Sequence, residues 1–227
     1  MYISAAPAQA GGAPSLEQAK DEYNRLIGQM IAAGEMFYRQ NWVLGTSGNF
    51  SAVFSRKPFE LAITGSGAHK GTLTPDQFLR VNDQGQPIDS PHQPSAETAI
   101  HLAICAACDA GAILHTHSVW STLLSDMYGA SGGLELNGYE MLKGLSGVTT
   151  HLRNEWIPIL ENSQDYSRLS REVFHTIKGK REVHGILLRR HGLYTWGRDL
   201  EEARRHVEVL EFLFEVIGRQ HCMAATL

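Results

Sequence analysis

The sequence predicts an α/β fold of three layers, in which a central, mostly antiparallel or mixed sheet lies between helices. Two observations support this prediction. Short apolar segments with strand character recur along the 227 residues, and amphipathic helical segments separate them without the strict alternation typical of a parallel sheet. The length suits one domain. We expect residues 1–14, rich in Ala, Gly and Pro, to form a flexible tail, and residues 15–227 to form a single domain.

The first element should be a long helix. Ser15 and Gln18 have the spacing of a capping box, and apolar residues at helical spacing continue to about Tyr38. Apolar segments at 50–54 and 61–64 then predict two short strands.

Proline residues mark the next helices. Thr74 before Pro75 predicts a short helix, and Pro94 predicts the start of a longer one. The apolar segment that begins at Ala112 predicts a buried strand, followed by another helix.

Strands and helices continue to intermix in the C-terminal half. Residues 156–160 and 185–188 are short apolar segments of strand character. Between them, apolar residues at helical spacing predict a helix at 166–177. Asp199 and Glu202 have the spacing that caps a last helix.

Composition excludes several classes of partner. The net charge is −4 and no basic run occurs, so we expect no nucleic-acid partner. No apolar segment has transmembrane length, so we expect no membrane partner. Three cysteines do not form a disulfide framework, which indicates a reducing cytoplasm.

The segment His115-Thr116-His117 carries the strongest chemical signal. Residues two apart on a strand share a face, so both imidazoles should project together, and two imidazoles make half of a zinc-type site. His191 follows an apolar strand and precedes Gly192, which makes it the best candidate for a third ligand. The alternative is that all three histidines are polar residues at strand ends.

Cys105 and Cys108 offer a different metal site. Together with His115 and His117 they have the composition of a structural Cys₂His₂ site. They fall within a predicted helix, however, where no knuckle turn is available and apolar neighbours favour packing.

Two glycine-rich turns are candidates for binding a phosphate. Such turns expose backbone N–H groups, and hydroxyl or ammonium groups nearby add donors. The alternative is that the glycines serve only tight turns. The candidate residues are Ser47, Gly48, Asn49, Thr64, Gly65, Ser66, Gly67 and Lys70.

Two carboxylates are candidate acid–base groups. Glu140 lies in a moderately apolar segment, where partial desolvation would raise its pKa and suit it to proton transfer. Glu97 should lie in the first turn of the helix that begins near Ser95, where a carboxylate also interacts favourably with the helix dipole. The alternative for Glu140 is an ordinary surface position.

Together, these motifs resemble the class II aldolase/adducin-head family from about residue 16 to residue 217. The segments that carry the resemblance are 45–49, 64–67, 94–97, 115–117 and 190–192. The resemblance implies a class II aldolase-like catalytic domain, one zinc ion per subunit on His115, His117 and His191, and a homo-oligomer, usually a tetramer. It also implies that Ser95 joins the phosphate-binding residues.

Within the family, segments 139–144 and 189–197 are most similar to dehydratases of methionine salvage. This implies a zinc-dependent lyase that converts 5-methylthioribulose 1-phosphate to a 2,3-diketone and water, with Glu140 as general acid/base. Glu97 corresponds to a catalytic, sometimes metal-contacting glutamate. The alternatives are a sugar-phosphate aldolase or 4-epimerase of the same family and a non-catalytic, adducin-head-like binding domain.

Overall fold

The strands form one sheet between two helical layers, which confirms the predicted α/β fold. The computed structural model describes residues 15–88, 90–180 and 182–224, so the predicted tail at 1–14 lies outside the described residues. The strands are β1 (Asn49–Arg56), β2 (Phe59–Thr64), β3 (Phe78–Val81), β4 (Pro87–Ile88), β5 (Ala112–Thr116), β6 (Gly133–Leu136), β7 (Glu155–Leu160), β8 (Gly185–Leu188) and β9 (Gly192–Gly197). The longer helices are α1 (Leu16–Arg39), α2 (Thr98–Cys108), α3 (Val119–Met127), α4 (Tyr166–Ile177) and α5 (Leu200–Ala224).

The sheet has the strand order β4-β3-β2-β1-β5-β9-β8-β7-β6. Neighbouring strands are antiparallel except for β7 and β8, which are parallel. The sheet is therefore mixed but mostly antiparallel. In the centre, His115 of β5 pairs with Asn49 of β1 and with Tyr194 of β9.

Four strands, β3, β4, β6 and β9, were not expected from the sequence. β3, β4 and β6 have two to four residues each, so their own sequences carry little strand signal. β9 has strand-forming residues, Tyr194, Thr195 and Trp196, and this local signal was overlooked. Pairing with neighbouring strands stabilises the three short ones instead. The sheet extends beyond the predicted strands on both sides as a result.

Helix α2 begins later than predicted. Pro94 forms an isolated β-bridge with Gly65, and the helix starts only at Thr98. Glu97 is therefore the N-cap residue, and its side chain caps no backbone N–H group. The prediction that Glu97 lies in the first helical turn is wrong, because the bridge keeps the preceding backbone extended.

Each face of the sheet is covered by a different set of helices. Helices α2 and α4 pack on one face against strand residues that include Ile113 and Tyr194. Helices α1, α3 and α5 pack on the other, where Leu114 and Leu193 point. Because side chains alternate along a strand, His115 shares the α2/α4 face with Ile113.

A capping box begins α1, as predicted, since Ser15 and Gln18 satisfy each other's backbone N–H groups. Among the described helices, none is both long and apolar enough to span a membrane.

Candidate active site

Three histidines converge where β5 ends and β9 begins. The Nε2 atom of His115 lies 2.8 Å from Nε2 of His117 and 3.3 Å from Nε2 of His191. One ligand atom from each residue lies within 4.8 Å of the others. The sequence separates His191 from His115 by 76 positions, so strand pairing in the sheet brings the trio together.

Hydrogen bonds of the Nδ1 atoms, which point away from the cluster, fix the orientation of two of these imidazole rings. His115 Nδ1 donates to the carbonyl of Leu193 at 2.8 Å, and His191 Nδ1 donates to Asn162 Oδ1 at 3.2 Å. Both Nε2 atoms then carry lone pairs, so their 3.3 Å contact is not a hydrogen bond between neutral rings. Lone pairs that face one another, with the outer nitrogens held by acceptors, are typical of histidines that bind a metal.

The donor set fits a divalent metal ion such as zinc. Ligand nitrogens around tetrahedral zinc are about 3.3 Å apart, close to the His115–His191 separation. Burial lowers the pKa of His117 to about 4 and lowers that of His115 as well, and the neighbouring histidines add to the effect. These imidazoles are therefore neutral near pH 7, which is the form that binds metals.

The carboxylate of Glu97 points at the same spot. Its oxygens lie 3.2 Å from His191 Nε2 and 3.6 Å from His115 Nε2. Asn49 Nδ2 donates to Glu97 Oε2 at 2.6 Å. Burial opposes ionisation of Glu97 and raises its pKa, whereas the hydrogen bond from Asn49 Nδ2 favours the ionised carboxylate and lowers it. Glu97 therefore adds a fixed negative charge beside the histidines.

The first glycine-rich turn is packed against the metal-site strand. Gly48 has a φ of +74°, and a Cβ at this position would lie 2.5 Å from the carbonyl oxygen of His115. Only glycine allows so close an approach. The turn is therefore held beside the histidines by a backbone contact that no other residue type permits.

Lys70 joins the two turns. Its Nζ atom donates to the carbonyls of Thr46 at 3.0 Å and Ala68 at 2.5 Å, and the side chain is buried. Burial lowers the pKa of Lys70 to about 8, and the charge of Glu97 opposes this shift. The predicted phosphate-binding turns thus meet near the histidines through one buried ammonium group.

The other predicted phosphate-binding residues differ in accessibility. Ser66 and Gly67 are exposed, whereas Thr64 is fully buried and its Oγ1 accepts from the backbone N–H of Phe50. The prediction that the Thr64 hydroxyl faces a ligand is wrong, because it lies between β1 and β2. Partly exposed positions are occupied by Ser47, Gly48, Gly65 and Ser95.

Comparison with known proteins identifies the family. A family model described as "Class II Aldolase and Adducin N-terminal domain" matches residues 28–217. The chain belongs to this family. A methylthioribulose-1-phosphate dehydratase of Pseudoalteromonas translucida is 46% identical over 192 residues, which cover 84% of this chain and 89% of that protein. A methylthioribulose-1-phosphate dehydratase of Methylococcus capsulatus is 40% identical over 201 residues, covering 88% and 96%.

Solved structures show that the class II aldolase fold is shared. The l-fuculose-1-phosphate aldolase from Thermus thermophilus superposes with a TM-score of 0.72 at 24% identity, covering 89% of this chain and 97% of that one. YgbL from Escherichia coli, titled a putative aldolase/epimerase/decarboxylase, gives a TM-score of 0.73 at 24% identity, covering 87% and 90%.

In this class II aldolase-family protein, Glu140 lies far from the histidines. It begins a short 3₁₀ helix, Glu140–Gly144, whose Leu142 belongs to the core on the α3/α5 face, opposite the face of His115. The segment also follows β6, the edge strand, four strands away from β5. The structure therefore does not bring Glu140 to the histidines of its own chain.

The prediction that Glu140 is partly desolvated is also wrong. The carboxylate is 71% exposed, and Lys143 Nζ donates to it at 2.5 Å. This hydrogen bond and the charge of Lys143 lower the pKa of Glu140, where the sequence predicted a raised one. The apolar neighbours point into the core and leave Glu140 on the surface.

The cysteines take no part in the site. Cys105 is buried in the core between α2 and the sheet, and Cys108 Sγ donates to the carbonyl of Ile104. In the part of the chain that the structure describes, the metal-ligand cluster contains histidines alone. The Cys₂His₂ interpretation is therefore wrong.

Sequence reasoning missed three groups that surround the site. Tyr194 stacks on His115 with a centroid distance of 3.7 Å, Asn162 holds His191, and His101 contacts Asn49. Only His101 had a local signal, since it follows Glu97 by four residues near the start of a helix. Tyr194 and Asn162 reach the site through strand pairing and a loop.

Proposed function

We propose that this protein is a zinc-dependent lyase that dehydrates 5-methylthioribulose 1-phosphate to 2,3-diketo-5-methylthiopentyl 1-phosphate, in methionine salvage. The observation that carries the proposal is the convergence of His115, His117 and His191 beside two turns that Lys70 joins. The names and identities of the relatives support the substrate. Free thiols at Cys105 and Cys108 agree with a reducing cytoplasm.

The reaction removes a proton from C3 of the ketose and hydroxide from C4, which leaves as water. His115, His117 and His191 would hold the zinc ion, with the Glu97 carboxylate beside them. The bound ion supplies Lewis-acid stabilisation for the negative charge that develops on the substrate oxygens. Asn162 and the Leu193 carbonyl keep the imidazoles in the orientation that this requires.

Glu97 is suited to hold a fixed charge more than to move a proton. A group whose pKa lies far below the working pH is a weak base. The hydrogen bond from Asn49 favours the ionised form of Glu97 next to the histidines. Proton transfer at C3 and C4 therefore needs a further group.

We assign that proton transfer to Glu140 of a neighbouring subunit. Glu140 is exposed on the opposite side of its own chain, so it is available to the site of another copy in a homo-oligomer, which we propose is a tetramer. A carboxylate that leaves Lys143 and becomes buried between subunits would have a higher pKa than it has on the free surface.

The substrate phosphate would bind to the exposed turn at Ser66-Gly67 and to the turn at Ser47-Gly48. Backbone N–H groups of such turns bind phosphate oxygens. The ammonium of Lys70 lies between the turns and adds positive charge there. Ser95 and Asn49 contact each other, so they connect the phosphate turns to Glu97.

The test is to incubate the purified, metal-loaded protein with 5-methylthioribulose 1-phosphate and to follow the absorbance of the diketone product. Formation of the diketone with loss of water supports the proposal. Fuculose 1-phosphate and ribulose 5-phosphate are assayed in parallel. Cleavage or epimerisation of these, without dehydration of the methylthio sugar, would replace the dehydratase by an aldolase or epimerase.

Mixing variants tests the assignment of Glu140 to a neighbouring subunit. Glu140→Gln and His115→Ala should each be inactive as pure proteins. Oligomers that contain both variants should regain activity, because some sites combine an intact metal centre with an intact Glu140. Mixed oligomers without any activity would contradict action between subunits. Lys143→Met, which leaves Glu140 in place, is the control and should remain active.

A further inference from the structure

A chain of hydrogen bonds runs behind the metal site, from Ser51 to Glu97. Ser51 Oγ lies 2.7 Å from His101 Nδ1, and His101 Nε2 contacts Asn49 Oδ1. Asn49 Nδ2 then donates to Glu97 Oε2 at 2.6 Å and to Ser95 Oγ at 3.1 Å. Three elements supply these residues, namely β1, the N-terminal end of α2 and the segment before it.

The chemistry of the groups fixes the direction of every bond in this chain. Ionised Glu97 only accepts hydrogen bonds, so the amide nitrogen of Asn49 must face it, and Asn49 Oδ1 then faces His101. That oxygen also only accepts, so His101 must carry its proton on Nε2. Nδ1 is left as an acceptor, and the hydroxyl of Ser51 donates to it.

The opposite orientation of Asn49 would bring two acceptors together. Its amide oxygen would then lie 2.6 Å from the Glu97 carboxylate, without a proton between them. The Nε2–H tautomer of His101 therefore selects the orientation of Asn49 that holds Glu97.

The surroundings of His101 support a single neutral tautomer. The side chain is fully buried, and its ring contacts the edge of Tyr194 with a centroid distance of 5.8 Å. Burial lowers the pKa of His101 to about 4, against the opposing charge of Glu97. The ring of His101 therefore stays neutral near pH 7 and carries a single proton.

We propose that His101 is a positioning residue, which acts through Asn49 to hold the Glu97 carboxylate in the orientation that the metal centre needs. The hydroxyl of Ser51 donates to the Nδ1 atom that this tautomer of His101 leaves free. The inference rests on the proposed function, since it concerns the metal centre. It assigns a role in the site to a buried histidine that touches neither substrate nor metal.

The experiment compares two substitutions of His101. In His101→Gln the amide nitrogen can take the place of Nε2 and still donate to Asn49. In His101→Asn the shorter side chain reaches only to the position of Nδ1, so this donor is lost. Ile104→Val, fully buried on the same helix and with a side chain that forms no hydrogen bond, is the control for altered packing.

Co²⁺ is the probe, because its visible spectrum reports ligand geometry. The readouts are the dissociation constant of Co²⁺ from the full-length protein, the spectrum of the Co²⁺ form and the dehydratase activity. We expect His101→Asn to weaken Co²⁺ binding and to lower kcat by about 10–100-fold, the usual effect of losing an outer-sphere partner. His101→Gln and Ile104→Val should remain close to the wild type.

A double substitution tests whether His101 acts through Glu97. The Co²⁺ spectrum of His101→Asn should change in the same direction as that of Glu97→Gln. Adding His101→Asn to Glu97→Gln should cause little further loss, because residues that act in one chain are not additive. Equal effects of His101→Asn and His101→Gln, or full additivity with Glu97→Gln, would overturn the inference.

A measurement on the wild-type protein needs no substitution. Long-range ¹H–¹⁵N spectra of the metal-free protein near pH 7 should show His101 as the Nε2–H tautomer, and the Nδ1–H tautomer would overturn the inference. The proposed function would be refuted if the wild-type protein binds Co²⁺ at the three histidines but does not dehydrate the substrate. In that case the tautomer and the Co²⁺ data would still decide the role of His101.

Discussion

Replacing Glu211 by glutamine should stabilise the protein at pH 8 but not at pH 4. Glu211 lies on α5, where its carboxyl is buried and Oε1 accepts a hydrogen bond from Thr116 Oγ1 at 2.7 Å. Among the residues that the structure describes, no group donates to Oε2. Burial raises the pKa of Glu211 to about 7, against hydrogen bonds from Ser118 and Thr116. The folded protein therefore holds a proton that the unfolded chain releases.

The sign and size of the effect follow from this difference in pKa. Below an unfolded pKa of 4.5 both states are protonated, so Glu211 costs nothing. As the pH rises from 4.5 to about 7 only the unfolded chain ionises, and the free energy of unfolding falls. Above this range the cost is constant, at about 3 kcal/mol. Glutamine has the shape of the protonated carboxyl and removes the cost.

Urea unfolding of the wild type and of Glu211→Gln, at intervals from pH 4 to pH 8, measures this directly. The variant should gain about 3 kcal/mol in free energy of unfolding relative to the wild type across this range, because other titrating groups cancel in the difference. Glu208→Gln removes a partly exposed carboxylate from the same helix and should show only a small change. A stability difference for Glu211→Gln that is the same at both ends of the range would refute the reasoning.

Three further outcomes are expected. His115→Ala should lose the bound metal and the activity, because its Nε2 lies within 3.3 Å of both other histidines; stoichiometric metal by elemental analysis would contradict this. Gly48→Ala should cost more than the roughly 1–2 kcal/mol that a left-handed residue costs, because its Cβ would meet the His115 carbonyl. Gly45→Ala, also at positive φ but in open space, is the control, and equal losses in urea unfolding would rule out the contact. Lys70→Met should raise KM for the phosphorylated substrate more than it lowers kcat. The exposed Lys57→Met is the control and should leave both constants unchanged. An unaltered KM in Lys70→Met would show that Lys70 does not contribute to phosphate binding.

The longer elements could be predicted because their signals are local. The capping box at Ser15, the apolar period of α5 and the apolar strand before His115 each depend on neighbouring residues alone. The short strands could not be predicted in the same way, since β4 has two residues and is stabilised by its partner β3. The start of α2 was misplaced because a bridge between Pro94 and Gly65, distant in sequence, decides it.

By itself, the sequence determined which residues can bind a metal: two histidines on one face of a strand, and a third before a glycine. It also carried enough motifs to indicate the family. Only the tertiary structure decided that Glu97 joins the histidines while Glu140 lies on the other side of the sheet. The physical reason is that the chemical type of a side chain can be read from the sequence at one position. Its place in the site depends on strand pairing and on which face of the sheet each segment covers.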